Sequence, residues 1–328
     1  MVGALTRAAA VAAGIAALLA VPAYVGDFQV VLLAQAISWA LLGVSVWILL
    51  RICNLPSFGH AAFYGVGAYA AGLAVTRWHV DNVFVALGIA VGISCLVALP
   101  IGVVVSRLAS VPFLLVTLAF AEMLHALEGR WTELGGSDGL IGVIRPNLRP
   151  LHTSLFAPDN YYWFSAAVLL VALAIVLAVT RSPFGAVLLG VRESEDRMAS
   201  LGYNAFAYRI GAFVLSAAIA GAGGLLSAYL TNFVDPNDAA ALVSARGLLI
   251  AVIGGATVFG PIVTAIALTE LEHLLSQHTT RWLGVLGLVY VVVALVAPEK
   301  GWFRALQRRR RTGRADPVPT RVALEKRA

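Results

Sequence analysis

Long apolar runs without charges alternate with short polar breaks along most of the chain. One such run, Tyr161–Thr180, is long enough to cross the hydrocarbon layer of a membrane, about 30 Å thick, as an α-helix. The runs lack the alternation of apolar and polar residues that is typical of membrane-spanning β-strands. The pattern therefore predicts an all-α polytopic membrane protein with about ten transmembrane spans, some of them short or broken. The predicted spans are Ala8–Tyr24, Phe28–Leu50, Phe63–Thr76, Val83–Val105, Val111–Leu127, Tyr161–Thr180, Ile210–Leu230, Leu248–Phe259, Pro261–Leu275 and Leu283–Ala297.

Two parts of this pattern can be interpreted in more than one way. The sequence GGATVFGP at residues 254–261 breaks the backbone between two short runs, so it is either a turn between two spans or a bend buried within one. The first 26 residues have a basic residue and an apolar core, and they are similar to a signal peptide. Because further apolar spans follow at once, we predict an uncleaved first helix instead.

The composition excludes a soluble globular domain. Hydrophobic residues make up 60% of the 328 residues, charged residues only 12%, and the mean hydropathy is +0.88. The two cysteines, Cys53 and Cys95, fall within apolar segments and form neither a disulfide framework nor a CxxC motif. We therefore predict that both are buried apolar side chains and that the chain has no metal site.

The distribution of arginine and lysine predicts the orientation, since short cytoplasmic loops carry an excess of these residues. Ten spans with the N-terminus inside place most of the 23 basic residues in the cytoplasm. Nine spans would move the basic tail at residues 301–328 to the outside, which this rule disfavours. We therefore predict a membrane domain over residues 1–300 with an external loop at about 129–160, two cytoplasmic termini, and a disordered tail that binds anionic lipid and no nucleic acid. The basic residues predicted to lie outside are Arg77, Arg130, Arg145, Arg149, Arg246 and Arg281.

A charged stretch interrupts the apolar second half of the chain at Gly190–Tyr203. Five of the six residues from Arg192 to Arg197 are charged, and they include opposite charges four residues apart. At about 100° per residue the apolar side chains share the other face, and Gly202 follows as a stop. The pattern predicts one amphipathic helix at about residues 186–201, on the cytoplasmic side. The residues that share the apolar face are Val187, Val191, Ser194, Met198 and Leu201.

Three uses of this helix are compatible with its residues. A helix that lies on the membrane surface needs a cationic face to meet anionic lipid, whereas this face carries acids and arginines together. A helix that docks on a protein partner uses apolar side chains and charges of both signs, which is closer to the pattern. A solvated loop helix is the third possibility.

Four blocks of sequence stand out between Leu55 and Ala297. They read LPSFGHAAFYGVGAYAAGLAV from residue 55, FLLVTLAFAEMLHAL from 113 followed by ELGGSDGLIGV from 133, RSPFGAVLLGVRESEDRMASLGY from 181, and GGATVFGPIVTAI from 254. In content and order they resemble the permease subunits of branched-chain amino-acid ATP-binding-cassette importers, in particular the LivM-like members. Pro183, Ala186 and residues 256–258 depart from the residues that are common in that family.

This resemblance implies that the amphipathic helix docks into a cleft of an ATPase subunit and passes on its nucleotide-driven closure. It also implies a second, LivH-like permease subunit, two ATPase subunits that bind ATP and magnesium, and a periplasmic substrate-binding protein. The chain itself has only two lysines, Lys300 and Lys326, and neither lies in a GxxxxGK(S/T) phosphate-binding pattern. We therefore expect no nucleotide cofactor and no catalytic residue in this chain. The residues implied to couple to the ATPase are Val191, Arg192, Glu193, Glu195, Met198, Leu201 and Gly202.

Ionisable residues inside the apolar runs are candidates for functional sites. His60 lies in FGHAAF, which either breaks a helix within the membrane or holds a packed, hydrogen-bonded histidine. Glu122 and His125 are three residues apart, and we predict an interfacial salt bridge instead of a proton relay. Three further residues are predicted to be solvated near an external helix end, namely Glu270, Glu272 and His273.

Glycine-rich segments add two candidate sites and a packing prediction. The small residues of GVGAYAAG and SAAIAGAGG predict helices that approach one another closely. Residues of the broken segments are candidates for a translocation path, and a glycine-rich loop is a candidate for an external gate or a binding-protein contact. The path candidates are Gly59, His60, Phe63, Gly65, Thr117, Gly254 and Gly255. The gate candidates are Gly135, Gly136, Ser137, Asp138 and Gly139.

The resemblance favours one function over several competing ones. It implies a permease subunit in the bacterial inner membrane that translocates branched-chain or related hydrophobic amino acids delivered by a periplasmic binding protein. Related permeases carry urea or short amides, and the sequence does not separate these solutes. Two further function classes are compatible with the sequence, a proton-coupled secondary transporter that works alone and a non-transporting membrane scaffold.

Overall fold

The computed structural model of the chain describes residues 22, 24–108, 110–147, 154–278 and five positions between 281 and 288. The chain divides into two compact units, Met1–Trp282 and Leu283–Ala328, and the architecture below is that of the first. Three predicted segments lie outside the described residues, apart from Pro22, Tyr24 and four positions up to residue 288. They are the spans Ala8–Tyr24 and Leu283–Ala297 and the tail at 301–328.

The described residues are mostly helical. The α-helices are α1 Asp27–Trp47, α2 His60–Thr76, α3 Val83–Val105, α4 Ser110–Arg130, α5 Pro158–Arg181, α6 Pro183–Glu193, α7 Glu195–Ser200, α8 Ala205–Thr231, α9 Ala241–Ile253 and α10 Gly260–His278. A π-helical turn, Ile48–Cys53, extends α1, and 3-10 turns lie at Thr132–Leu134, Gly136–Asp138 and Pro236–Ala239. Two short strands, β1 Leu140–Ile141 and β2 Phe233–Val234, pair antiparallel, with Leu140 opposite Val234.

Five of the described helices are long and apolar enough to cross a membrane, which confirms the predicted all-α, multi-pass class. They are Asp27–Cys53, Val83–Val105, Val111–Arg130, Pro158–Arg181 and Ala205–Thr231. The helix α9 has 13 residues, fewer than the roughly 17 that a crossing requires. The count of ten spans therefore stays a prediction.

One predicted span is displaced in the structure. The prediction placed it at Leu248–Phe259, whereas α9 begins at Ala241 and ends at Ile253. The displacement arises because Arg246 was assigned to an external loop, and it lies instead in the middle of α9. The next segment, GGATVFGP, forms a tight turn between α9 and α10, since a Cβ atom on Gly260 would lie 1.7 Å from the carbonyl oxygen of Gly254.

The helix α8 lies at the centre of the unit and packs against α1, α2 and α3. Its contact with α2 is backbone against backbone. A Cβ atom on Gly224 would lie 1.8 Å from the carbonyl oxygen of Tyr64, and one on Gly67 would lie 2.3 Å from that of Gly221. The prediction that small residues bring these helices close together is confirmed. Such contact replaces the hydrophobic driving force that is absent between helices in lipid.

The chain between α1 and α2 is broken inside the protein. After the π-helical turn, Asn54 adopts a left-handed conformation with a φ of 58°, and residues 54–59 form no helix. Leu55, Ser57 and Gly59 of this segment are nevertheless buried, and α2 begins only at His60. Such non-helical backbone is tolerated at membrane depth where protein surrounds it. The break in front of α2, one of the two alternatives that the sequence leaves open for FGHAAF, is present.

The unit has two chemically different ends. At one, which we call the basic end, Arg51 and Arg192 line one cavity with Ala256 of the GGATVFGP turn, and Arg107 and Arg209 line another. At the other, the loop end, residues 131–147 and the β1–β2 pair cover the helix termini. The loop end is fastened by Arg77, whose Nη2 donates to the carbonyl oxygen of Glu133 at 2.7 Å.

Cysteine labelling tests the orientation of these ends. In a variant whose two native cysteines are replaced by alanine, Ser137→Cys places a thiol at the exposed tip of the loop end and Ser200→Cys places one at the basic end. Because basic loops stay in the cytoplasm, a membrane-impermeant maleimide should label Ser137→Cys in intact spheroplasts and Ser200→Cys only after permeabilisation. The reverse pattern would invert the predicted topology.

Candidate functional site

The predicted helix at residues 186–201 is two helices in the structure, α6 and α7. Ser194 separates them, with an extended backbone (φ −161°, ψ 104°) and a side chain that accepts a hydrogen bond from the Arg197 amide. The prediction of one continuous helix was therefore wrong. The reason is local, since serine followed by acidic residues is a typical helix N-terminus. The break also removes the two predicted pairs four residues apart, Arg192 with Asp196 and Glu193 with Arg197.

Part of the predicted coupling face is turned into the protein. Val187 and Val191 are buried in a cluster with Ala205, and Met198 and Tyr208 pack against it. The prediction that Val191 faces a partner was therefore wrong, because its side chain is 4% exposed. The exposed members of the predicted set are Arg192, Glu193, Glu195, Leu201 and Gly202.

Two polar contacts fasten the α6–α7 segment to the membrane helices. Glu195 forms an ion pair with Arg209, in the first turns of α8, at 2.7 Å. Arg192 donates through Nη1 to the carbonyl oxygen of Arg51 in the π-helical turn. A surface cavity of about 460 Å³ lies beside the ion pair, between α7, α8 and the end of α3. A displacement of α7 would therefore act directly on α8, and a displacement of α6 would act on the π-helical turn that precedes the broken α1–α2 connection.

A hydrogen-bond network centred on His60 holds the broken connection in place. His60 is fully buried, with Nε2 2.5 Å from Ser216 Oγ and Nδ1 2.9 Å from Ser57 Oγ. Ser216 donates its proton to the carbonyl oxygen of Ser45, so it accepts from His60 Nε2–H. Ser216 lies 11 residues into α8, about 16 Å from its start. The network therefore ties α1, α2 and α8 together deep in the protein.

Four of the seven path candidates meet at this point. Gly59, His60 and Phe63 lie together, and Thr117 of α4 accepts a hydrogen bond from the Phe58 amide at 3.2 Å. A Cβ atom on Gly59 would be 2.9 Å from the Thr117 carbonyl oxygen, so the two backbones touch. The crevice that Gly59, Phe63 and Thr117 line is closed, with no room for a water molecule.

The other path candidates lie elsewhere. Gly254 and Gly255 belong to the turn at the basic end, where Trp47 Nε1 donates to the Gly255 carbonyl oxygen at 3.0 Å. Gly255 has a φ of 72°, which favours glycine on conformational grounds alone. Gly65 lies further along α2, beside Glu128. The seven residues therefore do not line one continuous passage in this conformation.

The gate candidates form the tip of the loop end. Gly135 and Gly139 have φ values of 93° and 70°, and a Cβ atom on Gly139 would lie 2.3 Å from the Val234 carbonyl oxygen. Gly136 and Asp138 bound a 3-10 turn that exposes Ser137 and Asp138. The glycines are thus explained by the turn and its contact with β2. The Ser137–Asp138 tip is exposed, and its role as a gate or a binding-protein contact stays a prediction.

The sequence reasoning missed a group of buried oxygen atoms near the loop end. Glu128 is 4% exposed, and neither of its carboxyl oxygens has a hydrogen-bond partner among the described residues. Asp238 follows Pro236 in a 3-10 turn, where burial raises the pKa of its carboxyl to about 6, with a further contribution from the Asp235 carboxylate. The signal was available for Glu128, because it continues the inward stripe of α4 at helical spacing. That stripe is Phe113, Thr117, Ala121, Leu124 and Glu128.

The comparison with known proteins identifies the family. A family profile described as "Branched-chain amino acid transport system / permease component" matches residues 29–296, which is most of the chain. The chain belongs to this permease family. The high-affinity branched-chain amino acid transport system permease protein LivM of Escherichia coli (strain K12) is 26% identical over 313 residues, covering 83% of this chain and 73% of the relative. LivM of Salmonella typhimurium is 26% identical over 301 residues, covering 85% and 71%. No solved structure matches.

Within this permease, the predicted Glu122–His125 salt bridge is not formed. His125 instead contacts the carbonyl oxygen of Pro236 through Nδ1 at 2.8 Å, while Glu122 is exposed. The two residues are neighbours on α4, but the His125 ring is engaged by the 3-10 turn while the Glu122 side chain is exposed. His125 therefore fastens the turn that carries Asp238.

The permease also contains an ion pair that the sequence analysis placed in solvent. Arg246 of α9 and Glu272 of α10 meet at 2.7 Å, with side chains only 19% and 18% exposed. The Arg246 guanidinium lies 4.0 Å from the ring centroid of Trp39, in the middle of α1. The prediction of a solvated Glu272 was wrong, because the displaced α9 carries Arg246 to it. Among the described residues, no group of three histidines, cysteines or acids could hold a metal ion.

Proposed function

We propose that the chain is the membrane-spanning permease subunit of an ATP-binding-cassette importer for branched-chain or related hydrophobic amino acids. Family membership supports the transport role. The observation that carries the coupling to an ATPase is the α6–α7 segment, an exposed helix pair held to α8 by the Glu195–Arg209 ion pair. The partners would be a LivH-like permease, two ATPase subunits that bind ATP and magnesium, and a periplasmic binding protein. The complex would lie in the bacterial inner membrane, with both termini of this chain cytoplasmic.

Contacts along α8 offer a route for the coupling. A displacement of α7 would move Arg209 through its ion pair with Glu195. Because Arg209 and Ser216 are two turns apart on α8, the movement would extend to Ser216 and to His60, which Ser216 contacts. Because α2 touches α8 backbone to backbone, the two helices would move as one body. The broken 54–59 segment in front of His60 is then the place where the chain bends. At the loop end, the exposed Ser137–Asp138 tip would meet the binding protein.

The docking role predicts a loss of ATPase binding in Leu201→Asp. Leu201 is 67% exposed at the basic end, and burial of a leucine against a partner contributes about 1.5–3 kcal/mol. We expect at least tenfold weaker retention of the ATPase subunits on the tagged, detergent-purified permease. The matched control is Ile141→Asp, which changes an apolar residue 75% exposed at the loop end. Equal retention in both variants would contradict docking at α6–α7.

Reconstitution separates this function from the competing ones. Uptake of leucine by proteoliposomes should require ATP, the ATPase subunits and the binding protein together. The buried Glu128 carboxyl and the half-buried Asp238 carboxyl favour one second candidate, a proton-coupled transporter that works alone, because such transporters use intramembrane acids. Uptake by the permease alone under a proton gradient would support that candidate. ATP-dependent uptake of urea or a short amide, without leucine uptake, would support the related solute class.

A further inference from the structure

Three polar side chains converge where α2, α4 and the Pro236–Ala239 turn meet. Gly65 and Tyr69 lie four residues apart on one face of α2, and Glu128 packs against it. A Cβ atom on Gly65 would be 3.1 Å from Glu128 Oε2 and 2.8 Å from the Cβ atom of Ala239. The turn that holds Ala239 also carries Asp238, whose carboxylate acts electrostatically on Glu128 and on the Tyr69 hydroxyl. We call Glu128, Asp238 and Tyr69 the carboxyl site.

The polar atoms of this site are largely unsatisfied. Both carboxyl oxygens of Glu128 and the hydroxyl of Tyr69 are buried without a hydrogen-bond partner in the described part of the chain, and these residues are only 4% and 3% exposed. The nearby basic groups are engaged elsewhere, since His125 contacts the Pro236 carbonyl oxygen and Arg246 pairs with Glu272. The buried Tyr69 hydroxyl therefore marks the site independently of the two acids.

Such an arrangement requires a positive partner. A buried carboxylate without a counter-charge costs several kcal/mol, and a second carboxylate beside it adds repulsion. The described residues hold no three-residue metal cluster, so the site lacks the ligand set of a dedicated metal centre. An ammonium group, by contrast, has three N–H donors and no acceptor, which matches two carboxyls and one hydroxyl.

We propose that the carboxyl site binds the ammonium group of the transported amino acid during its passage through the permease. This inference rests on the proposed function, because it names a part of the solute that the importer carries. In the empty permease a proton on one of the two carboxyls takes the place of the ammonium group. When the ammonium group binds, that proton leaves to solvent, so the charge of the site is conserved and no covalent bond of the solute changes.

Binding of the ammonium group should depend on pH near the pKa of the Asp238 carboxyl, which burial raises to about 6. Below that pH the carboxyl is protonated and competes with the ammonium group, whereas above it the site is free to accept the solute. The elements packed around Asp238 also carry several other titratable or charged groups. They are Tyr64 and Tyr69 on α2, His125 and Glu128 on α4, Arg246 on α9, and Asp138 and Asp235 on the neighbouring turns.

The test uses the complete transporter in proteoliposomes, with leucine and its des-amino analogue 4-methylpentanoate as probes. The change is Glu128→Gln, which keeps the shape and removes the charge, and Asp238→Asn is the second variant. The matched control is Glu122→Gln, on the exposed side of the same helix. We expect leucine uptake at low concentration to fall at least tenfold in both variants and less than twofold in the control. Leucine, but not 4-methylpentanoate, should raise the melting temperature of the wild-type complex.

The outcomes separate this inference from the function on which it rests. Normal leucine uptake by a well-folded Glu128→Gln complex, judged by size exclusion and ATPase retention, overturns the ammonium site and leaves the importer intact. Uptake that is normal but no longer depends on pH means that the site holds only a proton, which also overturns the inference. If the wild-type complex does not take up leucine with ATP, that result contradicts both the proposed function and the inference.

Discussion

Gly224→Ala should abolish the folded permease. The new Cβ atom would lie 1.8 Å from the Tyr64 carbonyl oxygen and 2.9 Å from the Ala68 amide nitrogen, both of them backbone atoms that no rotamer change can move. Alanine normally stabilises a helix by about 1 kcal/mol relative to glycine. Here the steric clash outweighs this gain, because α8 and α2 would have to separate along their whole contact to relieve it. The free-energy cost of that separation exceeds the roughly 1–3 kcal/mol of ordinary overpacking.

The measurement is the yield of monodisperse protein in detergent size exclusion and its melting temperature. The matched control is Gly88→Ala on α3, where a Cβ atom meets nothing within 4 Å. That variant should fold at wild-type yield and be slightly more stable. A Gly224→Ala protein with the wild-type melting temperature would show that α2 and α8 are not in backbone contact.

Glu272→Gln should destabilise the permease by about 3 kcal/mol, because it leaves the Arg246 guanidinium buried without its counter-charge. The matched control is Glu195→Gln, which breaks the other ion pair. Glu195 is 50% exposed and its pair should contribute less than about 1 kcal/mol. Thermal unfolding of the two purified variants measures the difference.

A double-mutant cycle isolates the pair itself. Arg246→Leu combined with Glu272→Leu removes both charges, so it should recover most of the stability that either single change loses. Single changes that cost no more than Glu195→Gln would mean that water reaches Arg246 and compensates its charge.

Much of the helical framework could be predicted from local pattern. The predicted span Val83–Val105 coincides with α3, because an uninterrupted apolar run in lipid must form its hydrogen bonds within a helix. The close packing of the glycine-rich helices was also foreseen from glycine and alanine positions, whereas the break before His60 was one of two alternatives that the sequence left open. The division at Ser194 could also have been predicted, because a serine followed by two acidic residues, as at residues 194–196, is a typical helix N-terminus. The continuous amphipathic period across residues 186–201 favoured a single helix instead.

The candidate site was less accessible to such reasoning. Of the predicted coupling residues, Val191 and Met198 turned out to pack within the chain, because their partners Ala205 and Tyr208 come from α8. The docking role of the remaining residues, the external gate and the translocation path stay predictions. Period analysis shows which residues share a face, but it does not show whether that face meets solvent, lipid or the chain itself.

The sequence by itself determined the membrane class, the positions of most apolar helices and the family, because each follows from local hydropathy or from ordered motifs. Only the tertiary structure decided which charges are compensated. Arg246 and Glu272 are 26 residues apart, and Glu128 and Asp238 are separated by more than a hundred positions, yet their environments are set by helices that meet in space. The energy of a buried charge depends on what surrounds it. Arg246 and Glu128 are each a charged residue within an apolar helix, but only Arg246 has a partner of opposite charge among the described residues.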